Sequence, residues 1–313
     1  MDLSTSYLGL KLKNPLIAGA SPLSFSVDMA KRIEESGASA IVLHSLFEEQ
    51  LAEHPVGEGA PYHFSPDQYI QHLRTLKREL SIPVIGSLNS IREGAWVRYA
   101  QYMQDAGADA IEINLYFLPR TDSESSSVIE QRSFQIIRLV RQFVSIPIAV
   151  KLSPWITSLR HFAMRMEEAG ASGLVLFNRF IQPDIDINTL KTVSKLNLTT
   201  PEDLLLRLHW LSTLSGRTHM HLSASGGIHT SADLVKTIIA GANTAQTVSA
   251  LILHGPEHIK VLLKGLEAWL EQHHFSGVDD ARSKVNTLRK EADKATGREN
   301  YIRIVHNWER LRG

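Results

Sequence analysis

Short apolar runs recur along the chain at 15–21, 40–45, 82–88, 110–115, 146–153, 173–178, 219–225 and 244–250. Their length, and the Gly, Pro, Asn and Ser residues that bound them, predict eight β-strands. The segments between them, 27–36, 67–80, 93–106, 128–144, 159–169, 201–214 and 231–240, space apolar residues at helical intervals against alanine-rich or charged faces. Four of these helices run into Gly-Ala just before the next strand, at Gly37-Ala38, Gly107-Ala108, Gly170-Ala171 and Gly241-Ala242. Glycine in the left-handed conformation stops a helix there, and a small alanine lets the chain turn into the strand. With a further helix at 257–272, the repeated βα unit predicts an α/β fold, a (β/α)8 TIM barrel over residues 1–275. An open doubly wound sheet is the alternative, and the absence of Gly-x-Gly-x-x-Gly after the first strand counts against it. Residues 276–313 form a C-terminal extension, with helix-like stretches near 278–295 and 301–311, expected under the barrel or at an oligomer contact.

Composition narrows the function classes. With 43% hydrophobic and 21% charged residues and no linker-like segment, the 313-residue chain has the material for one large core. Lysine plus arginine equals aspartate plus glutamate, 33 each, so there is no net field to attract nucleic acid. The absence of cysteine excludes disulfides, thiolate metal sites, protein-ligated iron–sulfur clusters and any thiol base, and no metal site is expected. Without a basic N-terminal region followed by an apolar run, or a membrane-length apolar segment, the expectation is a cytoplasmic protein with no membrane partner.

The chemistry concentrates at the C-terminal strand ends, where barrels of this kind build their sites. The run Ile148-Ala-Val-Lys-Leu-Ser-Pro154 puts Lys151 at the last inward position of an otherwise apolar strand. A buried ammonium is costly unless something anionic or electron-rich lies beside it: a phosphate, a carboxylate or a reduced flavin. A snorkelling lysine paired with a neighbouring carboxylate is the plainer alternative. The other ends carry Ala20 and Ser21, His44 and Ser45, Ser87 and Asn89, Asn114, Asn178, Ser225-Gly226-Gly227 and Val248-Ser249-Ala250. Ser-Gly-Gly after the seventh strand leaves backbone N–H groups bare toward a phosphate, and the eighth strand end adds donors at a helix start. The competing reading is a tight turn and an ordinary cap. One lysine, two asparagines and such a cradle suit a cofactor with a phosphate tail and a hydrogen-bonding ring.

These residues are similar to those of the dihydroorotate dehydrogenase family, flavoproteins that carry FMN at the mouth of such a barrel. The resemblance rests on Asn14-Pro15 leading to Ala20-Ser21, Glu112-Ile113-Asn114-Leu115, Val150-Lys151-Leu152, Asn178, Ser225-Gly226-Gly227-Ile228, and Gly241-Ala242 leading to Ser249-Ala250. The segments 44–50 and 177–184 further resemble a branch called dihydroorotate dehydrogenase-like proteins. The resemblance implies that Lys151 faces the N1–C2=O edge of the flavin, where a fixed cation favours the reduced, anionic ring. It implies that Gly226, Gly227 and Ser249 hold the FMN phosphate, that Ala20 and Ser21 lie along the ring, and that Asn114 and Asn178 bond flavin or substrate. His44, Ser45, Asn89, Ser225, Val248 and Ala250 complete the expected cofactor contacts. A homodimer is likewise implied, as is hydride transfer between flavin N5 and a dihydropyrimidine-like or other small anionic substrate, as in pyrimidine biosynthesis.

Two departures from the family pattern stand out. Cytosolic members carry a second lysine at the end of strand two and then an Asn-rich loop that grips the pyrimidine; here that position is His44, and 46–66 contains no asparagine. A histidine titrating near neutral pH would tune reactivity from there, and one satisfied by a backbone carbonyl would not. The family's proton-abstracting cysteine or serine falls near Phe117 in Asn114-Leu115-Tyr116-Phe117-Leu118-Pro119-Arg120, and phenylalanine takes no proton. The following loop offers Thr121, Ser123, Ser125, Ser126 and Ser127; Ser123 stands as the candidate base beside Lys151 and Asn114, although a Ser-rich lid fits the spacing as well. Tyr116, His44 and Arg120 are other candidate acids or anion binders, and His54, Tyr62 and His63 belong to a loop near the mouth. Arg179 is placed to bind a substrate carboxylate or to pair with Asp184 or Asp186.

Three functions compete on this reading: an FMN-dependent oxidoreductase acting on CH–CH bonds; a lyase or isomerase of a phosphorylated substrate using Lys151 as Schiff-base nucleophile or electrophile; and an FMN-binding electron-carrier subunit without dihydroorotate turnover. With no cysteine for a cluster, electrons are expected to pass to a soluble acceptor or a separate reductase partner.

Overall fold

A computed structural model describes residues 1–50, 63–89, 94, 97–117, 121–179, 182–195, 197–284 and 298–307. The predicted strands are β1 (Leu16–Ala18), β2 (Ala40–Val42), β3 (Val84–Asn89), β4 (Ala110–Asn114), β5 (Ile148–Leu152), β6 (Gly173–Leu176), β7 (His221–Ser225) and β8 (Thr244–Thr247). All run parallel, each beside its chain neighbour, and β8 pairs back onto β1 with Ala245 opposite Leu16. The sheet is therefore a closed barrel, and no open doubly wound sheet exists.

Helices α1 (Val27–Glu35), α2 (Pro66–Glu79), α3 (Val97–Asp105), α4 (Ser126–Phe143), α5 (Leu159–Glu168), α6 (Leu204–Leu214) and α7 (Ser231–Ile239) surround the strands, followed by a short α8 (Ser249–His254) and α9 (His258–Gln272). Their starts follow from local chemistry. Ser65 caps α2 in a reciprocal box with Gln68, and Thr230 does the same for α7 with Asp233. Their ends use the Gly-Ala pairs, whose glycines at 37, 107, 170 and 241 take φ near +100° (107°, 96°, 102° and 106°).

Strand alternation divides the buried residues between two cores. Outward side chains such as Ile41, Val84, Ile111, Val150 and Leu222 join the helix faces in one cluster. Inward side chains Ile17, Ala40, Val42, Ile85, Ala110, Ala149 and Val175 form a second cluster inside the barrel, stoppered from below by Tyr7, Leu8 and Leu12 of an N-terminal hairpin, Thr5–Tyr7 and Leu10–Leu12. Nearer the mouth the inward positions turn polar: Ser87, Glu112, Lys151, Ser223 and Gln246, all buried.

The C-terminal extension begins with α10 (Val278–Ser283), whose Val278 N–H donates to Asp2 O at 3.1 Å while Arg282 reaches Thr5 Oγ1 at 2.9 Å. This part lies against the N-terminal segment on the side away from the mouth. Three strand elements were not expected from the sequence: the N-terminal hairpin, a short strand Leu46–Phe47 that pairs in parallel with the end of β3, and a second hairpin, Gln182–Asp186 with Lys191–Lys195, after β6.

Candidate active site

The mouth of the barrel opens on a cavity of about 490 Å³ whose wall is drawn from the ends of the strands and the loops that follow them. Its floor holds Lys151, 5% exposed. The ammonium lies 3.3 Å from Glu112 Oε1 and 3.1 Å from Gln246 Oε1, and Gln246 Nε2 donates to Glu112 Oε2 at 2.5 Å. The three side chains come from β5, β4 and β8, so barrel closure itself assembles them. The partner required by the buried lysine is thus partly internal, and two of its three N–H donors are engaged.

Asn114 and Asn178, at the ends of β4 and β6, meet above this floor: Asn178 Nδ2 donates to Asn114 Oδ1 at 3.1 Å. Ser45 Oγ and Ser87 Oγ share a hydrogen at 2.8 Å, and the Tyr69 hydroxyl accepts from Ser87 N–H at 3.0 Å, tying the end of β3 to α2.

At the β7–β8 side, Gly226 and Gly227 both take positive φ, 90° and 81°. A Cβ on Gly227 would sit 2.5 Å from Leu204 N, so only glycine lets this loop pass the start of α6. Gly227 N–H does not face the cavity freely, because it donates to Thr199 Oγ1 at 3.2 Å. Thr199 also donates to Ser249 Oγ, from its hydroxyl at 2.9 Å and from its N–H at 3.0 Å. Beside them Arg207 of α6, 5% exposed, donates from Nε to Ser225 O at 2.7 Å. Burial pushes its guanidinium pKa down, while the neighbouring Asp203 opposes that shift.

The opposite wall is aromatic. The His44 ring packs at 4.3 Å from Phe25, 4.9 Å from Tyr69 and 5.4 Å from Phe64, and His63 stacks on Phe25 at 4.2 Å. Burial, then the nearby His72 and His63, bring the His44 pKa from 6.5 down to about 3. This corrects the expectation of a histidine titrating near neutral pH: His44 is neutral, its Nδ1 3.5 Å from Ser24 Oγ.

Of the residues singled out from sequence, the structure brings Ala20, Ser21, His44, Ser45, Asn89, Asn114, Tyr116, Lys151, Asn178, Ser225, Gly226, Val248 and Ser249 together in one wall, along with His63 and Arg179. Gly227 and Ala250 lie behind it. Ser123 is exposed and bonds Thr121 Oγ1 at 3.0 Å; the serines around it are spent on the start of α4, which Ser125 caps through Val128 N–H. Phe117 borders a separate hollow with Leu152 and Phe162. Arg179 pairs with neither Asp184 nor Asp186 but with Asp203 at 3.3 Å. His54, Tyr62 and Arg120 fall outside the described residues. Thr199 and Arg207 were missed: one sits in an apparent loop, the other is a lone charge in an apolar helix.

A family model described as dihydroorotate dehydrogenase matches residues 64–270. Among curated proteins, the chain is 24% identical over 306 residues to the dihydroorotate dehydrogenase B (NAD(+)) catalytic subunit of Caldicellulosiruptor saccharolyticus, covering 91% of this chain and 100% of that one. It is 26% identical over 298 residues to the protein of the same name from Thermoplasma acidophilum, covering 89% and 97%. It is 24% identical over 332 residues to the NAD-dependent dihydropyrimidine dehydrogenase subunit PreA of Escherichia coli K12, covering 89% and 75%.

Proposed function

The chain belongs to the dihydroorotate dehydrogenase family, and from that premise we propose that it is an FMN-dependent oxidoreductase acting on a CH–CH bond of a dihydropyrimidine-like substrate. The observation that carries this reading is Lys151, an ammonium on the floor of the cavity with one N–H left over from Glu112 and Gln246. FMN, when bound, supplies the hydride acceptor.

The residues present fit that group. The cavity is of cofactor size, Gly226 leaves its wall bare where a Cβ would stand 3.1 Å from Arg207, and Asn114 and Asn178 offer amides above the floor. Lys151 would hold a hydrogen-bond acceptor of the ring, Ser225, Gly226 and Ser249 would line the phosphate end, and Ala20 and Ser21 would flank the ring. The aromatic wall at Phe25, His44, His63 and Phe64 would exclude water from the substrate side and favour a planar, uncharged heterocycle over a carboxylate, since His44 brings no charge. All three relatives named above carry the word subunit in their names, which favours a separate partner over a soluble acceptor for the electrons, and the chain is read as a homodimer. No helix among the described residues is long and apolar enough to cross a membrane.

The Schiff-base lyase reading is weakened, because Lys151 is posed as a donor between two acceptors and not as a free amine. The test is the visible spectrum of the purified protein, followed by anaerobic addition of dihydroorotate and then of dihydrouracil. A flavin spectrum bleached by either compound supports the proposal and ranks the two substrates. A flavin that neither bleaches points to the electron-carrier reading. A colourless chain that takes up no added FMN rejects the flavoprotein.

A further inference from the structure

Arg207 is a buried cation without an anion. Its side chain is 5% exposed, and no carboxylate among the described residues lies within salt-bridge distance. Nε donates to Ser225 O at 2.7 Å and Nη1 donates to Asp203 O. These two bonds fix the plane of the guanidinium and turn Nη2 toward Gly226, where a Cβ would stand 3.1 Å away. Nη2 has no acceptor among the described residues, and Arg207 is part of the cavity wall.

The neighbouring charges do not supply the missing anion. Asp203 places its carboxylate on Arg179 at 3.3 Å and offers Arg207 only its backbone O. A guanidinium removed from water is costly unless an anion or a full set of acceptors meets it, and its planar fork suits phosphate oxygens above other acceptors. Gly226 has no side chain to fill the space between the fork and the cavity.

We propose that Arg207 binds the phosphate of the cofactor, giving the β7–β8 end of the cavity a fixed side-chain cation and making it select a phosphorylated flavin over the unphosphorylated one. The proposal rests on the FMN reading above and extends it: phosphate recognition here is not left to backbone N–H groups, since Gly227 N–H is held by Thr199. Arg179, already neutralised by Asp203, is not the cation responsible.

The test titrates flavin-free full-length protein and its R207Q variant with FMN and with riboflavin, following quenching of flavin fluorescence. R207Q is expected to weaken FMN about 10- to 100-fold, the loss of one charged hydrogen-bonded contact, and to leave riboflavin nearly unchanged. Equal loss for both flavins would mark Arg207 as a structural support of Ser225 and overturn the proposal, as would an unchanged FMN affinity or a wild type that binds both flavins equally. If R207Q does not fold, R207K replaces it; its FMN preference is expected to fall about 3- to 10-fold for want of the fork, and an unchanged preference overturns the assignment. Should the wild type take up neither flavin, the cofactor reading fails by itself. Inorganic phosphate then decides Arg207 separately: a melting temperature raised above an equal ionic strength of chloride, and lost in R207Q or R207K, supports an anion site, and no rise overturns it.

Discussion

Lys151 on β5 stands two residues nearer the mouth than Ala149, the register partner of Glu112 on β4, and Lys151 and Glu112 form an ion pair sealed within the barrel, 6% and 1% exposed at the side chain. Removing one member of such a pair strands the other's charge. E112Q, which keeps the shape and drops the charge, is expected to lower unfolding stability by about 3 kcal/mol. E112Q/K151M is expected to cost less than the sum of its single changes, by about 1–3 kcal/mol. Urea denaturation of the four proteins measures the coupling; additive losses would show that the pair contributes nothing jointly.

His44 gives the fold an acid sensitivity. The native ring takes a proton only near pH 3, whereas the unfolded chain takes one near 6.5, so between those values the unfolded state binds more protons. The contribution of His44 is complete above about pH 6.5 and declines as the pH falls toward 3. Urea midpoints at pH 7 and pH 5 are expected to drop more for the wild type than for H44L, and equal drops would show that the ring is not held neutral.

Gly226 and Gly227 are adjacent yet not equivalent. G227A drives a Cβ into the backbone of Leu204 in addition to a positive φ, and is expected to cost more than about 2 kcal/mol. G226A meets side chains alone, Arg207 and Thr199, each at 3.1 Å, and is expected to cost about 1–2 kcal/mol while displacing that fork. Thermal unfolding ranks them, and the reverse order would contradict the described loop.

Thr199 ties the 197–200 segment to both strand ends. T199V removes its donor to Ser249 and its acceptor for Gly227, both buried, and is expected to cost about 1–3 kcal/mol. Limited proteolysis is expected to cut faster between Asn197 and Thr200 in the variant; an unchanged rate would show that the bonds do not hold the segment down.

The barrel was legible in the chain because each inner strand repeats one apolar run, and the site because polar residues at the ends of those runs have nowhere to point but the mouth. The hairpin at Gln182–Asp186 was not: its alternation serves its own partner strand, and its residues meet solvent rather than the core. Arg207 was hidden for a different reason. In Leu-Leu-Leu-Arg-Leu a single charge reads as the exposed edge of a helix, and only the approach of Ser225 across the fold turns it inward. The position of His44 was readable, but its charge state was not, since it depends on Phe25 and Phe64 from separate segments. Lys151 was read as needing an electron-rich partner, and Glu112, two residues before Asn114 in a motif already noticed, proved to be part of the answer.

The stopper formed by residues 5–12 has a consequence for the order of assembly. Its Thr5 hydroxyl donates to Asn243 O at 3.2 Å, and Asn243 reaches back to Ser6 O at 3.2 Å, contacts separated by more than two hundred positions along the chain. The segment precedes every barrel strand, yet its seat does not exist until the last strand has joined the first. Such distant closures come late and slowly. Tyr7, Leu8 and Leu12 therefore wait, exposed and adhesive, through the whole of the folding reaction, and this lower rim is where a chaperone has the longest time to act.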